Sequence, residues 1–180
     1  MAKLVPVDIF DLIIFGGTGD LAMRKLLPAL YHRDRDNQIM AGSRIIAVGR
    51  SDLTRDGYID MVEKALRGNL AQGEFDGEHW KTFSSRIEYA RADLVSPDEW
   101  TPLCDLLSGK DDRIRVAYLA TAPTLFGTIA RGMQQNGLIT GNSRIVLEKP
   151  LGRDFLSASD INNAVGECFS ENQIYRIDHY

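Results

Sequence analysis

The chain has 180 residues, 44% hydrophobic and 26% charged, with a formal net charge of −4 and two cysteines. That length suits one domain with a core of its own. No apolar run approaches the ~20 residues of a membrane span, and an acidic balance without a basic stripe disfavours nucleic acid as a partner. Cys104 and Cys168 are too far apart in sequence for a metal motif, and both are expected to be buried free thiols. The opening "MAKLVPVDIFD" lacks the apolar stretch of a signal peptide, so a cytoplasmic location is the expectation.

Apolar runs of strand length alternate with stretches of helical period. "DLIIF" (residues 11–15) reads as a strand and residues 19–31 as a helix that Pro28 interrupts. "RIIAVG" (44–49) is a strand. "RDGYIDMVEKALRGNL" (55–70) is a helix, with Tyr58, Met61, Val62, Ala65 and Leu66 recurring at three and four. "RIEYARADL" (86–94) is a strand. "SPDEWTPLCDLL" (96–107) begins a helix, with Ser96 as N-cap and Pro97 at the first position. "RIRVAYLATAP" (113–123) is a strand, 124–135 a helix with Thr124 as its cap, "SRIVLEKP" (143–150) a strand, 156–169 a helix and "QIYRID" (173–178) a strand. His32 and His79 lie in polar, helix-like surroundings and read as surface residues.

Strand and helix in alternation require crossover connections, hence an α/β fold: a Rossmann-like, doubly wound, mostly parallel sheet with helices on both faces. The whole chain, 1–180, reads as one dinucleotide-binding domain. Its last run, "QIYRIDHY", is a strand passing into polar residues, which leads us to expect a piece of a longer protein. Open sheets of this type bind ligands at the carboxyl ends of their strands.

The first such end carries Gly16-Gly17-Thr18-Gly19-Asp20-Leu21-Ala22. Glycine takes positive φ and lets backbone approach a ligand closely, and free amides at a helix start attract a diphosphate. Gly16 would make the turn, Gly19 would allow close approach, and small Ala22 would let helix pack on strand. The spacing differs from G-x-G-x-x-G, and it also suits a tight turn with no ligand. After the second strand, Arg50 and Ser51 stand where NAD enzymes place an acid. A guanidinium forks onto phosphate oxygens, which points to a 2′-phosphate and NADP. Asp52 is near enough to serve a ribose, which leaves NAD open as well. Asp93 and Leu94 end the third strand, where an adenine would lie.

"YLATAPTLFG" (118–127) offers small residues for a nicotinamide ribose, or an ordinary loop. In "LEKPLGRD" (147–154), Glu148 and Lys149 end a core strand, where charge needs a partner or a ligand. A cis bond at Pro150 would turn Lys149 toward the cleft, to bridge a substrate hydroxyl and the nicotinamide. In "RIDHY" (176–180), Asp178 would orient a histidine base and His179 would bind an anion; the same pair also suits a solvated loop. No metal is implied.

Taken in order, "GGTGDLAMRKL", "VGR", "EKPLG" and "RIDHY" resemble the amino-terminal part of the glucose-6-phosphate dehydrogenase family over the whole chain. The resemblance implies that Gly16 to Leu21 (Gly16, Gly17, Thr18, Gly19, Asp20 and Leu21) hold the NADP phosphates. It implies that Arg50, with Ser51, grips the 2′-phosphate, that Asp93 and Leu94 border the adenine, and that Ala122 and Pro123 flank the nicotinamide. Lys149 would contact substrate and cofactor. Lys25, His179 and Tyr180 would bind glucose 6-phosphate. Asp178 would be the catalytic partner of a histidine in a second, α+β domain. The full-length protein would oxidise glucose 6-phosphate at C1 as a homo-oligomer, while this chain alone would be inactive and monomeric. Two other readings remain: an NADP sugar oxidoreductase of the glucose-fructose oxidoreductase type, which shares "EKP", and a non-catalytic NADP-sensing module.

Overall fold

The computed structural model describes residues 8–149 and 151–178. Strand β1 (Phe10–Phe15) leads through a glycine turn into a π-helical turn (Ala22–Leu26) and helix α1 (Leu27–Arg35). Strand β2 (Arg44–Gly49), helices α2 (Arg55–Asn69) and α3 (Gly77–Ser85), and strand β3 (Ile87–Arg91) follow. A 3-10 turn (Pro97–Trp100) precedes helix α4 (Thr101–Leu107) and strand β4 (Ile114–Leu119). Another (Pro123–Leu125) precedes helix α5 (Phe126–Gln135) and strand β5 (Ser143–Glu148). Helix α6 (Phe155–Gly166), a 3-10 turn (Glu171–Gln173) and strand β6 (Ile174–Ile177) complete the described residues.

All neighbouring strands pair in parallel, in the order β3-β2-β1-β4-β5-β6. The order reverses direction between β1 and β4, so a crevice opens at their carboxyl ends. The helices of the two halves pack in two separate clusters, one on each face of the sheet. Tyr31, Tyr58, Val62, Leu66 and Phe83 pack on Ile14, Ile45, Ala47 and Ile87 on one face. Trp100, Leu103, Phe126, Ile129 and Met133 pack on Phe15, Val48, Leu119 and Leu147 on the other. The strand residues of both sets are buried, as a sheet covered on two sides requires.

Several elements differ from expectation for local reasons. Pro28 does not end its helix. It has no N–H for the carbonyl four residues back, and the widened π turn just before it absorbs the mismatch, so the helix continues to Arg35. Helix α3 was not expected; Asp76 caps it by accepting from Glu78 N at 2.8 Å, and it buries Trp80 and Phe83. Ser96 and Thr124 make no side-chain cap, because 3-10 turns precede the α-helices there. Asp154, instead, forms a capping box with Ser157 at the start of α6. His79 is not a surface residue: its imidazole is 16% exposed and lies 3.3 Å from the buried Asp34, which also faces Arg86 at 3.0 Å. Met61 is exposed, and Cys104 and Cys168 are free but half-buried rather than buried. Among the described residues, no helix is long and apolar enough to cross a membrane.

Candidate nucleotide site and sheet edge

Because the strands are parallel, every segment expected to carry chemistry leaves the same edge of the sheet. The first is the glycine turn. Gly16 has φ +85°, and a Cβ there would stand 2.4 Å from the Ala120 carbonyl oxygen, so only glycine fits. A Cβ on Gly17 would stand 2.5 Å from that of Ala47, so this glycine lets the turn lie against β2. The amides of Gly16 and Gly17 both donate to Val48 O, at 3.0 and 2.9 Å, and Gly19 N donates to Gly16 O at 2.9 Å. These three therefore hold the turn in place. The amides of Thr18, Asp20, Leu21 and Ala22 have no hydrogen-bond partner among the described residues, as befits an open helix start.

A cavity of about 310 Å³ opens above this turn. Gly16, Thr18 and Gly19 form its floor; Gly49 at the end of β2 and Arg50 after it, Asp93 and Leu94 after β3, and Ala120 and Thr121 after β4 form its walls. Arg50 is exposed and has no ion-pair or hydrogen-bond partner among the described residues. Thr121 carries a buried Oγ1, likewise without a partner. The open Thr18 amide, the unengaged guanidinium beside it and the open amides that continue along the helix start are a donor set matched to an anionic ligand. Asp93 is partly committed to its own loop: its Oδ1 accepts from Val95 N at 3.2 Å, and its amide donates to Glu99 at 3.0 Å. Ser51 is exposed beside Arg50, and Asp52 faces Arg91 at 3.7 Å in an ion pair open to solvent.

Not every expected residue joins this cavity. Asp20, Leu21 and Lys25 line a second one, of about 370 Å³, with Arg24 and Asn69. Ala122 and Pro123 run into the 3-10 turn before α5, and Ala120 and Thr121 line the cavity instead. Both fall within "YLATAPTLFG"; their signal is their place directly after β4, at the reversal of strand order.

At the far end of the edge, Lys149 and Asp178 meet at 3.3 Å, both about half exposed. Lys149 N also donates to Ile177 O at 3.0 Å, which extends the β5–β6 pairing by one rung. Glu148 accepts a hydrogen bond from the Tyr118 hydroxyl. Burial, and after it the neighbouring carboxylate, pushes the Tyr118 phenol well up, so it stays a donor. The charges at the end of β5 thus have protein partners. Pro150, His179 and Tyr180 lie outside the described residues. Among the described residues, no group of His, Cys, Asp and Glu is arranged to hold a metal ion.

A family model described as "Glucose-6-phosphate dehydrogenase, NAD binding domain" matches residues 13–180. A glucose-6-phosphate 1-dehydrogenase of Rhizobium meliloti is 45% identical over 179 residues, covering 99% of this chain and 36% of the relative. That of Mycolicibacterium smegmatis is 48% identical over 179 residues, covering 97% and 36%. The chain thus spans about a third of the length of these relatives. Among solved structures, a glucose-6-phosphate 1-dehydrogenase from Mycobacterium avium superposes with a TM-score of 0.84 at 29% identity, over 94% of this chain and 36% of that one. A glucose-6-phosphate dehydrogenase in complex with its substrate glucose-6-phosphate superposes at 0.83 and 27%, over 100% and 38%.

Proposed function

The chain belongs to the glucose-6-phosphate dehydrogenase family, in the part described as its NAD binding domain, and from that premise we propose that it is the NADP-binding portion, residues 1–180, of an enzyme that oxidises D-glucose 6-phosphate. In that reaction a base takes the proton of the C1 hydroxyl, C1 gives up its hydrogen as hydride, and 6-phosphoglucono-δ-lactone results. NADP, when bound, supplies the hydride acceptor. The family name and a solved relative holding glucose 6-phosphate support the substrate.

The chain's own part is to bind and orient. The open amides of Thr18 and of Asp20 to Ala22 would take the diphosphate, and the helix dipole adds to their attraction. Arg50 would grip the 2′-phosphate with Ser51 beside it, and Leu94 would border the adenine against Asp93. Ala120 and Thr121, which line the crevice after β4, would border the nicotinamide half. At the other end of the edge, Lys149 and Asp178 would meet the sugar; Lys25 would approach its phosphate, as would His179 and Tyr180. Asp178, already a partner of Lys149, would orient the base. Holding the two reactants in register is the main contribution such a scaffold makes.

The observation that carries this reading is the exposed, unengaged Arg50 on the rim of a crevice whose floor includes the open Thr18 amide. Calorimetric titration tests it. The wild-type chain should bind NADP⁺ more tightly than NAD⁺. Arg50→Ala should weaken NADP⁺ by about tenfold or more, since a hydrogen bond to a charged group contributes ~1.5–3 kcal/mol, and should leave NAD⁺ unchanged. Equal affinity for both nucleotides in both proteins would contradict it. No turnover of glucose 6-phosphate is expected from the isolated chain, and measurable turnover would show that this portion holds a complete active site.

A further inference from the structure

Two tyrosines lying beside the crevice reach both segments assigned to the nucleotide. Tyr58, on α2 and fully buried, donates its hydroxyl to Gly17 O at 2.7 Å. Tyr89, on β3, donates to Ser51 O at 2.7 Å. Their rings stack, with centroids 4.9 Å apart and planes 19° from parallel. Among the described residues, these are the only side-chain hydrogen bonds to residues 16–21 or 50–51. Gly49 closes the gap between them: a Cβ there would stand 3.1 Å from Thr18 Oγ1 and 3.3 Å from the Tyr89 oxygen. Turn, loop and aromatic pair form one contact group.

Resting on the nucleotide reading above, we propose that Tyr58 and Tyr89 are positioning residues, and that Tyr89 makes the site prefer NADP to NAD. The Gly17 carbonyl is the acceptor that a regular helix start would offer to the amide of Leu21, four residues on. Tyr58 satisfies it from outside, so the turn stays open and the amides of Thr18 and of Asp20 to Ala22 remain free for a diphosphate. Tyr89 anchors the backbone one residue beyond Arg50, so the guanidinium is presented from a fixed point. Two χ angles and a stacked ring make this anchor stiff at small entropic cost. Burial first, then the neighbouring Tyr89, pushes the Tyr58 phenol well up, and burial raises that of Tyr89. Both hydroxyls therefore stay protonated and donating at neutral pH.

Tyr89→Phe keeps the ring and the stack and removes one hydroxyl. Titration of the chain with NADP⁺ and NAD⁺ should show the NADP⁺ Kd raised about fivefold, the size of one lost hydrogen bond, with NAD⁺ unchanged. In an Arg50→Ala background the same change should leave NADP⁺ binding where Arg50→Ala put it. Tyr58→Phe should weaken both nucleotides by about the same factor. The ratio of the two affinities is read on one sample, so partial unfolding, which lowers both together, does not imitate the Tyr89 result. Equal weakening by Tyr89→Phe, no change, or an effect that persists without Arg50 would overturn the proposal and leave the nucleotide reading standing. A wild-type chain that binds neither nucleotide would overturn that reading itself.

Discussion

Gly16 shows how a single position can carry both fold and site. Its φ of +85° and the carbonyl 2.4 Å from any Cβ leave alanine no place. Gly16→Ala should cost roughly 1–3 kcal/mol of stability and abolish NADP⁺ binding in the same titration, because β4 and the turn must part to admit the methyl. Retained affinity would mean that the turn does not hold the nucleotide. At the opposite end of β1, Asp11 is fully buried against Arg44 at 2.7 Å and Arg113 at 3.1 Å. Burial alone would raise its carboxyl; the hydrogen bonds and charges of Arg44, then Arg113, outweigh it and hold the pKa below the ordinary value. A depressed pKa stabilises the folded state above the unfolded value of ~3.9 and loses that contribution as pH falls through the folded one. Asp11→Asn should therefore cost about 3 kcal/mol or more in urea unfolding at pH 7, by leaving two guanidinium groups short of a counter-charge. It should also flatten the fall in stability below about pH 4. Gly16 was legible because glycine after a strand has few purposes. Asp11 was not, because its partners lie 33 and 102 residues away in sequence.

Between elements, packing decided what periodicity left open. Helix α3 escaped notice because nine residues with two buried aromatics barely repeat. Asp76 was its readable cap, and the Tyr31 hydroxyl accepts from Asp76 N at 2.8 Å to tie that cap to α1. Pro28 signalled a break, yet the helix around it passes from a π turn into α geometry. A proline marks a missing donor, and a wider turn is one way to live with it. Helix α5 rests on Trp100 through Gly132, whose Cβ would meet the indole at 2.3 Å. Gly132→Ala raises helix propensity by ~1 kcal/mol but forces an overpacked contact of ~1–3 kcal/mol. Net destabilisation in urea is expected, with an unchanged m-value and unchanged NADP⁺ affinity. A stabilised variant would mean that Trp100 moves aside freely.

Taken whole, the molecule separates support from chemistry. The buried Asp11 cluster ties the amino ends of β1, β2 and the segment before β4, while open amides and Arg50 gather at the carboxyl ends. The parallel, doubly wound architecture was readable from alternation alone, because crossovers constrain topology strongly. Which carboxyl-end residues share one cavity was not. That depends on where the strand order reverses, so Ala120 and Thr121 emerged only with the β1–β4 pairing in place. The Tyr58–Tyr89 pair was equally hidden, since neither residue belongs to a motif and each acts on backbone. Ligand held by this edge should stabilise the entire sheet. At one hundred times its Kd, NADP⁺ should add ~2.7 kcal/mol and raise the melting temperature in a thermal scan.

The most direct trial is a crystal structure of the chain grown with NADP⁺. The diphosphate is expected against the amides of Thr18 and of Asp20 to Ala22, and the 2′-phosphate against Arg50, in the crevice between β1 and β4. Nucleotide bound elsewhere, or side chains of the protein filling that crevice in its presence, would contradict the account.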